Sequence, residues 1–119
     1  MKNEDKLIVK KISQCMLDKK ALDIKIIYVK KITSITDYFV FCSSESEPQT
    51  RAIANHIKDT LFDFYNIKPW HMEGYENSKW VLIDYVNIVV NIFNKDERSF
   101  YNIERLWEDG DITIIEEEK

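Results

Sequence analysis

Apolar side chains recur at helical spacing near the start of the chain. Leu7, Ile8, Ile12, Cys15 and Met16 fall on one stripe, which predicts an amphipathic helix over about 7–20. The pattern then changes period. Residues 24–29 are rich in β-branched side chains and nearly alternate, so a strand is expected there. After a polar connection, 37–42 is an almost unbroken apolar run, the mark of a strand covered on both faces.

Ser46-Glu47-Pro48-Gln49 has the makings of a helix start, with Ser46 as cap, Pro48 in the first turn and Gln49 closing a capping box. The helix should run to about residue 65 and bury Ile53, Ile57, Leu61 and Phe64. Residues 69–73 read as a short edge strand, because a proline at its start cannot donate to a ladder. A polar turn over 74–78 precedes strands at 79–85 and 87–93, close enough to form a hairpin. A last helix over 96–107 is expected to bury some of Phe100, Ile103, Leu106 and Trp107, and an acidic tail over about 111–119 should be solvated. The resulting order, αββαβββα, predicts an α/β fold with helices flanking a mixed β-sheet. One domain over 1–119, with its core at about 6–109, is the expectation for this length.

Composition narrows the function classes. Hydrophobic residues make up 45% of the chain, enough for a packed interior. No stretch approaches the roughly 20 apolar residues of a membrane span, and no apolar segment follows the charged first residues. A cytoplasmic protein without membrane partners is therefore expected. The net charge of −4 repels phosphate backbones and argues against strong direct nucleic-acid binding. Cys15 and Cys42 lack motif spacing and read as small core residues.

Candidate chemistry is sparse. Phosphate-binding turns need clustered glycines, and the chain has only Gly74 and Gly110. Asp37 precedes a buried strand, but Phe39 stands where a second carboxylate would share a cation. Asp84 offers a more distant second ligand, or both are strand-terminal groups. Cys15, Cys42, His56 and His71 lack zinc-site spacing, and Ser43-Ser44 has no nucleophile elbow around it. No catalytic residue, metal site or cofactor is expected. What remains is the polar and aromatic stretch 73–85. There Trp80, Leu82 and Asp84 share one strand face, and Val81, Ile83 and Tyr85 share the other. Tryptophan and tyrosine in such a place suit a docking surface as well as a core.

Several blocks, taken in order, resemble the ribosomal silencing factor family, also called Iojap-like. They are Thr36-Asp37-Tyr38-Phe39-Val40, Gln49-Thr50-Arg51-Ala52-Ile53-Ala54, Glu73-Gly74, Trp80-Val81-Leu82-Ile83-Asp84-Tyr85, Val89-Val90-Asn91-Ile92-Phe93, and Arg98 through Trp107. The resemblance extends over about 6–109. It implies a nucleotidyltransferase-like frame without that chemistry, docked on ribosomal protein number fourteen of the large subunit so that the small subunit cannot join. An acidic protein fits a basic partner of that kind. The resemblance nominates Trp80, Asp84, Tyr85, Glu73 and Gly74 for the docking patch, with Asp37, Arg98, Tyr101 and Glu104 as a supporting motif. A large-subunit assembly factor and a minimal magnesium-dependent nucleotidyltransferase are the alternatives, and self-association as a homodimer is compatible with the sequence.

The family pattern has a glycine and then an acidic residue after the Asp-Tyr pair, and a histidine in the following strand. Here Val86, Asn87 and Asn91 stand in those places. Valine resists positive φ, so the hairpin turn is expected to change type or to lean on Asn87.

Overall fold

A computed structural model describes the backbone of residues 2–116 and the side chains of residues 4–98 and 102–116. Helix α1 (Lys2–Asp18) is followed by strands β1 (Leu22–Tyr28) and β2 (Tyr38–Ser44), then by helix α2 (Glu47–Tyr65). Strands β3 (His71–Glu73), β4 (Trp80–Asp84) and β5 (Ile88–Asn94) come next. Helix α3 (Lys95–Tyr101), a 3-10 turn (Ile103–Trp107) and strand β6 (Asp111–Ile115) complete the order. The sheet runs β3-β4-β5-β2-β1-β6. Its central pair, β2 with β5, is parallel, and every other pair is antiparallel.

The mixed α/β architecture is as the sequence suggested. Every residue of β2 is buried, in keeping with its unbroken apolar run at the middle of the sheet. The start of α2 follows the capping logic: Gln49 N–H donates to Ser46 Oγ at 3.2 Å, and Gln49 Oε1 accepts Glu45 N–H at 2.7 Å. The Gln49 amide nitrogen also donates to the carbonyls of Lys19 and Lys20, both at 3.0 Å. One side chain thus starts α2 and satisfies carbonyls at the end of α1.

Two apolar layers sandwich the sheet. On one face α1 and α2 bury Ile8, Ile12, Met16, Ile53, Ile57 and Leu61 against Val40, Ile83 and Val90. On the other, Ile27, Val29, Phe39, Phe41, Val89 and Phe93 form a second cluster, with Ile103 and Trp107 packed against it. The Trp107 ring lies 4.8 Å from that of Phe39. Cys15 and Cys42 are free and buried, and complete burial pushes the Cys42 thiol up to about 12.

Several expectations need correction. Residues 111–115 of the supposed tail form β6 against β1, pairing Ile26 with Thr113; residues 117–119 lie outside the described part. Gly110 permits that approach, since a Cβ there would sit 2.7 Å from the Tyr28 carbonyl oxygen. The last helix breaks at Asn102, which takes the left-handed conformation at φ 49°, so Leu106 points outward and is exposed. Leu7 and Phe64 are also exposed, at 57% and 68%. The Phe64 ring is instead covered by Lys11 Nζ, 4.4 Å from its centroid.

The hairpin turn departs from expectation too. Val86 itself holds the positive φ, at 76°, rather than passing it to Asn87. Asn87 N–H donates to Tyr85 O at 3.0 Å, closing a γ-turn around Val86, while Asp84 Oδ1 accepts Val86 N–H at 2.7 Å. The valine side chain is exposed and gains nothing from packing. Val86→Gly should therefore raise the unfolding free energy by about 0.5–1 kcal/mol, because relief of the Cβ clash outweighs the added freedom of the unfolded chain. Urea titration of the two proteins measures the difference, and a less stable glycine variant would show the turn to be unstrained.

Candidate docking surface

Strand register places the nominated side chains. Trp80 is opposite Phe93, Leu82 is opposite Asn91 and Glu73, and Asp84 is opposite Val89 and His71. Directly paired residues share a face, so these side chains project from the face opposite α1 and α2. The C-terminal segment covers that face over β1 and β2 but leaves the β3-β4 end partly open. Trp80, Leu82 and Asp84 are half-buried there, while His71 and Glu73 are exposed.

The Trp80 ring stacks on Phe93, with centroids 4.9 Å apart. Its indole N–H donates to Asn91 Oδ1 at 3.0 Å. Asn91 is 2% exposed, and its buried Nδ2 has no hydrogen-bond partner among the described residues. Asn91 thus orients the indole through its side-chain oxygen. At the edge, His71 Nε2 lies 2.9 Å from Glu73 Oε2, and the ring of Trp70, which is 73% exposed, lies beside His71.

The structure brings Trp80, Asp84 and Glu73 to this face but separates Tyr85 from them. Tyr85 packs against the helix-side core, where burial pushes its phenol well above its ordinary value. Gly74, at φ 81°, serves the backbone: a Cβ there would collide with the Trp80 carbonyl oxygen. Trp70 and His71 join the surface without having been placed there from sequence, while Leu82 lies on the Trp80 face as period two predicts. The alternation of exposed His71, half-buried Met72 and exposed Glu73 in an edge strand is the signal that could have found His71.

The supporting motif is largely a brace. Arg98 forks onto Glu104, with Nε donating to Oε1 at 2.7 Å and Nη2 to Oε2 at 2.9 Å. Its Nη1 donates to Ser43 Oγ at 2.9 Å and to the Asp23 carbonyl at 2.6 Å. Asp23 is the bulged residue of β1, at φ 51°, and the bulge turns that carbonyl into reach. Lys25 Nζ adds a contact to Glu104 Oε2 at 2.8 Å. These groups line an open cavity of about 670 Å³, whose guanidinium is already committed to Glu104. The Tyr101 side chain lies outside the described residues.

Asp37 sits at the start of β2, where its N–H donates to Asn87 O at 3.1 Å. Strand β5 lies between β2 and β4, which separates Asp37 from Asp84. Among the described residues no group of three or more His, Cys, Asp or Glu side chains is placed to hold a metal ion.

Hydrogen bonds from Arg98, opposed by burial and helped by Lys25, pull the Glu104 carboxyl from its ordinary 4.5 down to about 2. A carboxyl held low contributes stability that is complete above its unfolded value and is lost as pH falls through the folded one. Between pH 4.5 and 2 the protein should lose about 2 kcal/mol on this account. Glu104→Gln should flatten that limb of a stability-against-pH curve, and an unchanged limb would assign the acid sensitivity to other carboxylates.

The sheet order, the half-open aromatic face and the Arg98–Glu104 brace together define a mixed α/β fold with known relatives. The family described as "Ribosomal silencing factor during starvation" matches residues 2–119, and the chain belongs to that family. It is 40% identical over 111 residues to the ribosomal silencing factor RsfS of Bacillus subtilis, covering 93% of each chain. The RsfS of Halalkalibacterium halodurans is 43% identical over 99 residues, covering 83% of this chain and 82% of the relative. Among solved structures, a Chromobacterium violaceum protein superposes with a TM-score of 0.83 at 29% identity, covering 87% of this chain and 85% of the other. A Bacillus halodurans protein gives 0.76 at 35% identity, covering 95% and 98%. No helix among the described residues is long and apolar enough to cross a membrane.

Proposed function

We propose that this protein silences translation by docking on the large ribosomal subunit, through its ribosomal protein number fourteen, and so keeping the small subunit from joining. The observation that carries the reading is the half-open face of Trp80, Leu82, Asp84 and Glu73, in a chain whose relatives at 40% identity and above are named ribosomal silencing factors. The role is regulatory: the face offers an aromatic anchor with acidic neighbours, as docking on a basic protein requires.

Sedimentation with isolated large subunits tests the docking step, and addition of small subunits on a sucrose gradient tests the block. Co-sedimentation at moderate salt with loss of the joined particle is expected. Failure to co-sediment would overturn the proposal, and binding without loss of joining would remove its steric part. Trp80→Ala should weaken docking by about 2 kcal/mol, roughly thirtyfold. Unchanged affinity in a folded variant would return Trp80 to a purely structural role.

A further inference from the structure

The net charge of −4 conceals a division along the chain. The first 36 residues carry nine lysines against four acidic side chains, and the remaining 83 carry eight basic side chains against 17 acidic. The basic part makes α1, β1 and the connection leading to β2, and of its lysines only Lys25 is paired with an acid of the later part, Glu104, among the described residues. Lys6 and Lys10 are both exposed and stand one turn apart on the outer side of α1, about 6 Å along its axis. Lys30 and Lys31 are exposed in the β1-β2 connection. That connection turns back on itself through Thr33 N–H to Val29 O at 3.0 Å, and closes through Val29 N–H to Asp37 O at 2.8 Å. Lys30 lies toward the first turns of α1, where Asp5 is within electrostatic reach of both Lys30 and Asp37. None of the four lysines forms an ion pair among the described residues. Of the acids at this end, Glu4 is exposed while Asp5 and Asp37 are half-buried.

We infer that Lys6, Lys10, Lys30 and Lys31 form a second contact surface that takes the phosphate backbone of double-helical RNA. The inference rests on the ribosomal reading above and adds to it. There the acidic, aromatic face meets a protein, while this basic face meets ribosomal RNA beside it. Four unpaired ammonium groups suit a phosphate backbone, which is recognised by charge and shape without base reading. Leu7, Ile32 and Ile35, exposed among these lysines, would lie on the wide, shallow minor groove that an A-form helix presents. A protein divided in this way is held in one orientation, since turning it over would set acid against phosphate.

The test uses the whole protein and a variant carrying Lys6→Ala, Lys10→Ala, Lys30→Ala and Lys31→Ala. A control carries Lys58→Ala and Lys68→Ala, and circular dichroism establishes that both are folded. Each is titrated against a 20-base-pair RNA duplex, against large subunits across a salt series, and against anionic phospholipid vesicles. The fourfold variant should lose duplex binding and bind subunits at least tenfold more weakly at low salt. Its slope of log affinity on log salt should be shallower by about 3.6, as four lost phosphate contacts require. The control should match wild type. Equal affinity and slope in the fourfold variant would overturn the inference, as would an equal loss in the control. Lysine-dependent binding to vesicles but not to the duplex would overturn it in favour of a lipid surface. Should wild type fail to bind subunits at all, the proposed function falls. The duplex titration still decides this inference, since lysine-dependent binding supports it and no binding overturns it.

Discussion

Arg98→Met is expected to cost about 3–5 kcal/mol of unfolding free energy, the largest loss from any single polar side chain described above. The guanidinium is 10% exposed and joins four groups from separate parts of the chain: Glu104, Lys25 through Glu104, Ser43 and the carbonyl of Asp23. Methionine fills much of the volume but makes none of these bonds. Glu104, 15% exposed, keeps only the Lys25 ammonium, and the bulge carbonyl loses its donor. Chemical denaturation should show the loss, and a change below about 1 kcal/mol would mean that water replaces the brace. Arg98→Met combined with Glu104→Leu should recover part of it, since replacing both charges avoids stranding one.

Gly74→Ala comes next, at about 3 kcal/mol or more, and it also threatens docking. The residue sits at φ 81°, where a side chain is already strained, and its new Cβ would run into the Trp80 carbonyl. Trp80 cannot easily retreat, because it is paired with Phe93 in the adjoining strand. The connection is also fixed by Ser78 N–H donating to Gly74 O at 2.9 Å. The clash therefore falls on the strand that presents the indole. A drop in Tm of more than about 10 °C is expected, together with weakened binding to large subunits. A Tm within 2 °C of wild type would show that the turn can move aside.

Much of the fold was legible because period and capping agree along the chain. The start of α2, the buried β2 and the β4-β5 hairpin follow from patterns that no distant contact contradicts. The misreadings share a different cause. Phe64 continues the spacing of Leu61, yet it lies in the last turn of α2 and stays in solvent with Lys11 over its ring. Leu106 fits a continuous helix and is turned outward only because Asn102 adopts the left-handed conformation. Strand β6 has the alternation of a strand, but acidic neighbours and the need for a partner 85 or so residues earlier hide it. In the candidate surface, facing was readable from period two for Trp80, Leu82 and Asp84. The depth of Tyr85 was not, because exposure at a strand end depends on what the helices cover. Gly74 was singled out as a contact, while the structure gives it a backbone reason that only the register reveals.

Strand β6 and the Arg98 brace have a consequence for how the chain reaches its native state. Both join β1, near the beginning of the chain, to segments beyond β5, and the Arg98–Asp23 hydrogen bond alone spans 75 residues. Closing such long loops before any contact rewards them makes folding slow relative to a helical bundle of the same size. During synthesis β1 and β2 emerge early, but one edge of β1 stays unpaired until Asp111–Ile115 has been made. Until then the nascent chain exposes a β-branched strand edge, open to pairing with other chains. Shortening the protein before Asp111 would make that interval permanent, so aggregation rather than lost docking should be the first symptom of such a truncation.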